Sequence, residues 1–389
     1  MPARPDDMPA RARQPIRRVP RARRSVGPAL RWPKGAAPPV LVEQVRGGIV
    51  ESRHRGHVVQ VGADGRIERL LGDPEQVVTL RSSAKPFGLV ALVESGAADR
   101  YALTPPELAI LASSHSGEDL HVRTLHAIFR RAGVGQGLLA CGTEGMPLDR
   151  LTAARLAGDR ERPGPVRHMC SGQHAGSILL SKFRGWPLET YWEDDHPSQV
   201  AFRGAVARVF GVRPERLVTA IDGCGLLTYA FPLVEVARAY ALLADPAAAT
   251  GERRVLAPAL TQIRDAMLAA PEMVGGTRER LDTALMKSCP GLLVAKAGME
   301  ALRGVALLPD ARGPGSPAAG LALSIEDGDG YDRGSWAATV EAVRQVGALD
   351  AAALRTLATY HHPPSTDPRG RVAAEAIPRF ELAPVSELV

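Results

Sequence analysis

Leu80-Arg81-Ser82-Ser83-Ala84-Lys85-Pro86-Phe87 is the stretch around which the chain is organised, and an apolar run from Gly88 to Val93 follows it. Ser82 and Lys85 are three residues apart, so a helix that begins here places both side chains on one face. A serine hydroxyl becomes nucleophilic when a base takes its proton, and a lysine serves as that base when burial or a second cation, such as Arg81, lowers its pKa. The spacing favours nucleophilic catalysis. The alternative is a helix cap at Ser82 with a solvated Lys85.

The chain has the composition of a globular protein. Its 389 residues are 45% apolar, yet no apolar run approaches the ~18 residues that a membrane-spanning helix needs. Four cysteines in a chain of this length do not resemble a disulfide framework, so we expect reduced thiols. Arginine pairs at 17–18 and 23–24 resemble part of an export signal, but the apolar segment that follows them is too short. These features predict a cytoplasmic protein that does not associate with membranes.

The net charge of +6 is concentrated at the N-terminus. Residues 1–34 hold ten of the 48 basic residues and two of the 42 acidic ones, so the remainder carries 38 basic against 40 acidic residues. A segment this rich in proline and arginine cannot pack a core, and we expect it to be disordered. We therefore predict a basic tail over residues 1–36 and one folded domain over residues 37–389.

Alternating apolar residues near the start of that domain predict an antiparallel meander. The segments are residues 41–45, 49–52 and 57–61, with Gly47-Gly48 supplying one turn. Long Ala- and Leu-rich helices are predicted over residues 226–243 and 253–270, and a further strand over residues 320–325. Strands near both ends with helices between them indicate an α/β protein whose terminal strands form one antiparallel sheet beside a helical cluster.

Further reactive residues stand beside glycines at the ends of apolar segments, where polar groups are exposed on a rigid scaffold. Cys170 and Cys224 are able to hold a metal ion with a third ligand such as His174, and the alternative is that both are small buried hydrophobic residues. Asp222 precedes Gly223, which suits either a turn or a carboxylate that binds a substrate ammonium group.

The order of these motifs resembles the asparaginase II family, the Rhizobium-type or class 3 L-asparaginases. The resemblance extends from about residue 41 to beyond residue 300. It rests on Val45-Arg46-Gly47-Gly48-Ile49-Val50-Glu51-Ser52-Arg53-His54-Arg55-Gly56, Arg81-Ser82-Ser83-Ala84-Lys85-Pro86, Ser114-His115-Ser116-Gly117-Glu118, Cys170-Ser171-Gly172, His174-Ala175, Asp222-Gly223-Cys224-Gly225 and Lys296-Ala297-Gly298.

The resemblance implies a fold related to serine β-lactamases and glutaminases, a homodimer, and hydrolysis of L-asparagine to L-aspartate and ammonia without an organic cofactor. It makes residues 37–389 the catalytic domain. By matching positions, Ser82 is the nucleophile and Lys85 its base, while Ser114 and Lys296 form a second serine–lysine pair. The remaining matches are Arg81, His174 and Asp222 at the substrate and Cys170 and Cys224 at a zinc ion.

One position departs from the family pattern. Family members commonly carry a lysine that binds zinc in the motif Cys-Ser-Gly-Lys-His, and here that position is Gln173. A neutral amide oxygen is a weak zinc ligand, so this departure argues against a bound metal, and hydrolysis by two serine–lysine pairs does not require one.

Two other functions remain open at this stage. The S-x-x-K motif also serves β-lactamase-like esterases and amidases, although the Ser-Asp-Asn and Lys-Thr-Gly motifs of that group are absent. A catalytically inactive binding protein whose basic tail adheres to nucleic acid is the second alternative. The family resemblance favours a small-molecule substrate and no specific nucleic acid, and the sequence leaves the choice between asparagine and glutamine open.

Overall fold

The computed structural model describes residues 30, 32–33, 35–143, 147–330 and 332–387. The predicted disordered tail, residues 1–36, lies almost wholly outside these described residues. Within the described ranges, no helix combines the length and the hydropathy needed to cross a bilayer.

The described strands form two antiparallel sheets. The larger has the order β10-β11-β1-β2-β9-β8-β7, with β3 also paired to β2, and the smaller has the order β4-β6-β5. The strands are β1 (Val40–Arg46), β2 (Ile49–Gly62), β3 (Ile67–Leu71), β4 (Val77–Thr79), β5 (Val218–Ile221), β6 (Leu227–Pro232), β7 (Leu293–Gly298), β8 (Leu302–Leu307), β9 (Ala319–Ile325), β10 (Pro364–Thr366) and β11 (Val372–Pro378). Because β1 lies between β2 and β11, the two ends of the folded chain meet in one sheet, as predicted.

The meander differs from its prediction in one respect. Gly47 and Gly48 both adopt positive φ, as a tight hairpin turn requires, and connect β1 to β2. The two segments predicted as separate strands after this turn are one continuous strand, β2. Gly56 lies in the middle of that strand, where a Cβ would overlap the carbonyl oxygen of Ser324 on β9. This glycine permits close approach of two strands and does not mark a turn.

Helices fill the middle of the chain between the first and last strands. They are α1 (Lys85–Gly88), α2 (Val90–Glu94), α3 (Ala97–Arg100), α4 (Pro105–Leu111), α5 (Asp119–Ala132), α6 (Arg150–Gly158), α7 (Ser171–Arg184), α8 (Pro197–Phe210), α9 (Leu233–Ala244), α10 (Ala257–Ala269), α11 (Pro271–Val274), α12 (Leu281–Ser288), α13 (Arg333–Gln345), α14 (Ala351–Thr356) and α15 (Ala358–His361). The mixed α/β class is confirmed.

The long helix predicted over residues 226–243 is wrong in its first third. Leu227–Pro232 forms the central strand of the smaller sheet, β6, and α9 begins only at Leu233. Tyr229 and Phe231 favour a strand, and Pro232 ends it because proline cannot donate to a further ladder hydrogen bond. Apolar content alone had indicated a helix here.

Helix α9 connects the larger sheet to the segment that carries Ser82. Tyr240 on α9 is fully buried and occupies space where a Cβ at Gly304 of β8 would overlap its ring. Its hydroxyl donates to the carbonyl of Ser83 at 2.9 Å. Buried residues form a hydrophobic core that extends from Leu41 to Leu382, so the Ser82 segment rests on a rigid scaffold.

Candidate active site

The Ser82 segment is a short 3₁₀ helix, Arg81–Ala84, that leads directly into α1. Arg81 has a φ of +46°, a left-handed conformation that costs energy for a residue with a side chain. Its N–H donates to the hydroxyl of Thr228 on β6 at 2.9 Å, and the N–H of Leu80 donates to the carbonyl of Tyr229 at 2.7 Å. Strand β6 therefore stabilises the strained backbone at Arg81. The next residue, Ser82, is only 3% exposed.

Three of the four predicted catalytic side chains meet at one oxygen atom. Lys296 Nζ donates to Ser114 Oγ at 2.9 Å, and Lys85 Nζ lies 3.3 Å from the same oxygen. Lys85 Nζ also donates to the carbonyl of Ser113 at 2.7 Å. Among the described residues, the hydrogen bonds of Lys85 Nζ go to Ser113 and Ser114 and not to Ser82, so the role of Lys85 as the base of Ser82 stays a prediction. Catalytic hydrogen bonds are often completed only when substrate is bound.

Lys296 has the electrostatic properties of a proton acceptor. Burial lowers the pKa of its ammonium group to about 7, and the positive charges of Lys85 and Arg280 act in the same direction. The carboxylate of Asp282 opposes them. A lysine with a pKa near neutrality is partly unprotonated at physiological pH, so it exchanges protons with a bound hydroxyl.

The Ser114 loop is anchored from both sides. The backbone N–H of Ser114 donates to the carbonyl of Val274 at 3.0 Å, and the N–H of Ser116 donates to the carbonyl of Gly275 at 2.8 Å. His115 Nδ1 accepts from the N–H of Gly117, so its Nε2 carries the proton that is donated to Ser171 Oγ at 2.8 Å. Both ring nitrogens of His115 are thus occupied, which makes it a support for the loop.

Arg81 and Asp222 form an ion pair next to the nucleophile candidate. Arg81 Nε and Nη2 both lie 2.8 Å from Asp222 Oδ1, and the N–H of Gly223 donates to the same oxygen at 2.6 Å. Glu300 approaches Arg81 Nη1 at 3.8 Å. Among the described residues, the hydrogen bonds of the Asp222 carboxylate converge on Oδ1, which leaves Oδ2 available to another group.

Cys170 and Cys224 are also brought together, as two buried thiols. A hydrogen bond from Cys224 holds the pKa of the Cys170 thiol well below its usual range, and Lys85 and His168 reinforce the shift. The same contact, together with burial, raises the pKa of Cys224. Cys141 lies in the same neighbourhood, where burial and the charge of Cys170 raise its pKa to about 12.

His174 lies behind these thiols on α7. Its Nδ1 is hydrogen-bonded at 2.5 Å to the hydroxyl of Tyr191, which also accepts from the N–H of Ala140. Burial lowers the pKa of His174 to about 3, so the ring is neutral.

The residues present do not fit a zinc site. Zinc in proteins takes three or four Cys, His, Asp or Glu ligands, and Cys170 and Cys224 supply two. Across the described residues, no three such side chains are arranged to hold a metal ion. Gln173 contributes only a neutral amide, and the neighbouring cation Lys85 further disfavours a second positive charge.

One residue that the sequence did not single out belongs to the same cluster. Arg280 Nη2 donates to the carbonyl of Ser114 at 2.7 Å, and its Nη1 is buried without a hydrogen-bond partner among the described residues. No motif marks this arginine, which lies in the segment Thr277-Arg278-Glu279-Arg280 and is 166 residues from Ser114 in sequence.

The site is thus a buried serine–lysine cluster on a mixed α/β scaffold. The sequence profile of the L-asparaginase II family matches residues 42–378, and the chain belongs to that family. The predicted resemblance is confirmed. The protein is an amidohydrolase of the asparaginase and glutaminase type.

Two of the solved structures that the chain resembles have low sequence identity to it. A probable glutaminase from Bacillus subtilis complexed with 6-diazo-5-oxo-L-norleucine is 12% identical with a TM-score of 0.38, over 78% of this chain and 87% of that one. Mglu in its L-glutamate binding form is 17% identical with a TM-score of 0.35, over 79% of this chain and 62% of that one. No curated protein sequence matches the chain.

Proposed function

We propose that the protein hydrolyses the side-chain amide of L-asparagine to give L-aspartate and ammonia, with Ser82 as nucleophile and the two lysines as proton carriers. The observation that carries the proposal is the shared contact of Lys296 and Lys85 with Ser114 Oγ. Serine–lysine catalysis needs a lysine that releases and accepts a proton near neutral pH, and Lys296 has a pKa of about 7.

In the first half of the reaction, Ser82 Oγ attacks the amide carbon, its proton passes to Lys85, and Lys85 in turn passes a proton through Ser114 to neutral Lys296. The carbon–nitrogen bond then breaks, and Ser114, supplied with a proton by Lys296, protonates the departing nitrogen, which leaves as ammonia. In the second half, a water molecule attacks the acyl ester on Ser82. Its proton returns through the lysines, and the Ser82 oxygen recovers its hydrogen as aspartate is released.

Asp222 is suited to recognise the α-ammonium group of the substrate. It stands beside Arg81, immediately before Ser82 in the chain, and its Oδ2 is not engaged by the contacts that hold Oδ1. The proposed steps use no metal ion and no organic cofactor.

Ammonia release from a panel of amides tests the proposal. The panel contains L-asparagine, L-glutamine, D-asparagine and succinamic acid, which lacks the α-ammonium group. We expect L-asparagine to have the highest kcat/KM and succinamic acid to lose most of it. A higher kcat/KM for L-glutamine would correct the substrate, and no ammonia from any amide would refute the proposed activity. A nitrocefin assay in parallel separates a β-lactamase-like activity.

A further inference from the structure

Arg280 is a half-buried residue whose guanidinium forms no ion pair with a carboxylate among the described residues. Its Nη1 is shielded from solvent and has no hydrogen bond to any described residue, while its Nη2 donates to the carbonyl of Ser114. An unpaired buried guanidinium is costly, so such a group generally meets an anion in the functional state.

Three carboxylates lie within range of the charge of Arg280, namely Asp282, the exposed Asp332 and Glu118, and two of them are engaged elsewhere. Asp282 pairs with Arg303 and accepts from the N–H of Ala297 at 2.9 Å. Glu118 accepts from the hydroxyl and the N–H of Thr277 and contacts Arg278 at 3.3 Å. Among the described residues, none of the three carboxylates is hydrogen-bonded to Arg280, although all lie within range of its charge.

The charges around Ser114 also favour an anionic ligand. Lys85, Lys296 and Arg280 converge on the Ser113–Ser114 backbone and the Ser114 hydroxyl, so three cationic side chains surround one small buried region. The other arginine of the site, Arg81, is already bound to Asp222 through Nε and Nη2. Among the described residues, Arg280 is the arginine that contacts the Ser114 carbonyl and also keeps a shielded guanidinium nitrogen, Nη1, without a hydrogen bond.

We propose that Arg280 is the carboxylate-binding residue of this site, receiving the α-carboxylate of the substrate on Nη1 while Nη2 remains on the carbonyl of Ser114. Carboxylates pair with guanidinium groups through short charge-assisted hydrogen bonds, which fix orientation as well as adding affinity. The inference rests on the proposed function, and it defines the substrates as amides that carry a free carboxylate close to the scissile group. It assigns Asp222 and Arg280 to the two charged ends of one amino acid.

The segment that carries Arg280 is fixed in a way that suits this role. Thr277 is held by Glu118, and Arg278 pairs with Asp149 at 2.7 Å. Gly275 accepts from the N–H of Ser116, which ties the segment to the Ser114 loop. Arg278 lies two residues before Arg280 on this segment and is not part of the serine–lysine cluster, so it provides a matched control.

The test compares L-asparagine with 3-aminopropanamide, which is asparagine without its α-carboxylate, in the wild type and three variants. In Arg280→Met we expect kcat/KM for L-asparagine to fall about 10- to 100-fold, the effect of losing one charged hydrogen bond. The value for 3-aminopropanamide should change less than about threefold, because that substrate never makes this contact. Arg280→Lys should retain part of the discrimination, since a lysine keeps the charge but not the planar donor pair. Arg278→Met should keep the wild-type ratio, even with a lower Tm.

An equal fall for both substrates in Arg280→Met would overturn the inference and make Arg280 a support for Ser114 only. Unchanged kinetics with both substrates would overturn it as well. A second readout is the rise in Tm caused by L-aspartate compared with β-alanine, which lacks the α-carboxylate. If the wild type releases no ammonia from any amide, the proposed function fails. In that case, a rise in Tm of the wild type with L-aspartate alone, lost in Arg280→Met, would still support the carboxylate site. Equal rises in Tm with L-aspartate and β-alanine would refute it.

Discussion

Lys296 Nζ donates a hydrogen bond to Ser114 Oγ at 2.9 Å, although the two residues are 182 positions apart in the chain. Strand β7 delivers the lysine and the loop after α4 delivers the serine, so the contact exists only in the folded protein. Because Lys296 is buried among other cations, its proton is weakly held, and the pair is prepared for proton transfer.

Activity should depend on the protonation of Lys296. With a pKa of about 7, Lys296 becomes neutral as the pH rises through neutrality, so we expect kcat/KM to increase between about pH 6 and pH 8. Lys296→Arg, which stays charged at every pH, should be inactive across the range. A wild-type profile that is flat from pH 5 to pH 9 would contradict this role.

The same lysine should make stability depend on pH. The pKa of Lys296 is about 7 in the folded protein and 10.5 in its unperturbed form, so between these values the unfolded chain binds the extra proton. The contribution of Lys296 to the free energy of unfolding should therefore rise with pH from about 7 to about 10, by at most about 1.4 kcal/mol per pH unit. Urea unfolding of the wild type and Lys296→Met at pH 7 and pH 9.5 measures it. The free energy of unfolding of the wild type should increase relative to that of the variant at the higher pH. A relative decrease would contradict a lowered pKa of Lys296 in the folded protein.

Zinc content should be low in the wild type and higher in Gln173→Lys. Cys170 and Cys224 supply two thiols, and a neutral amide at position 173 is a poor third ligand. Elemental analysis of both proteins purified in parallel measures the zinc occupancy. Ammonia release before and after dialysis against a chelator measures whether activity depends on the metal. Gln173→Glu is a matched charged variant. Stoichiometric zinc in the wild type would show that another residue completes a metal site.

Deleting residues 1–34 should leave the kinetics unchanged. The family match begins at residue 42, and the candidate site residues lie between Arg81 and Lys296. A salt titration of full-length and truncated protein against DNA should show that any nucleic-acid binding is weak, salt-sensitive and lost with these residues. A large loss of asparagine turnover in the truncated protein would assign the tail a part in the site.

Local sequence patterns predicted the elements that depend on local chemistry. The Gly47-Gly48 turn, the strand at residues 320–325 and the α/β class follow from turn residues and apolar spacing, and the structure confirms them. The single strand β2 was not predicted, because the role of Gly56 depends on Ser324 of a distant strand. Strand β6 was not predicted either, because it is stabilised by pairing with β4 and β5, and β4 is distant in the sequence.

The site residues also fall into those that local motifs predict and those that depend on tertiary contacts. Lys85, Ser114 and Lys296 were recognised because they lie in motifs, and the structure brings them together. Arg280 was missed because its relation to Ser114 arises only when the segment after α11 packs against the Ser114 loop. The hydrogen bonds of Lys85 to Ser113 and Ser114 could not be predicted from the spacing of Ser82 and Lys85, because that spacing defines a shared helix face and not the partners of the side chain.

The most direct test of the central claim is ammonia release from L-asparagine by the wild type, Ser82→Ala and Ser83→Ala. Ser83 is a matched control, because it is equally buried and its hydroxyl donates only to the carbonyl of Leu80 at 2.7 Å. Each substitution removes one hydroxyl and should cost about 1 kcal/mol of stability or less. We expect Ser82→Ala to be folded by circular dichroism and to release no ammonia above background, while Ser83→Ala retains most of the wild-type kcat. A folded Ser82→Ala protein with near-normal turnover would contradict the account.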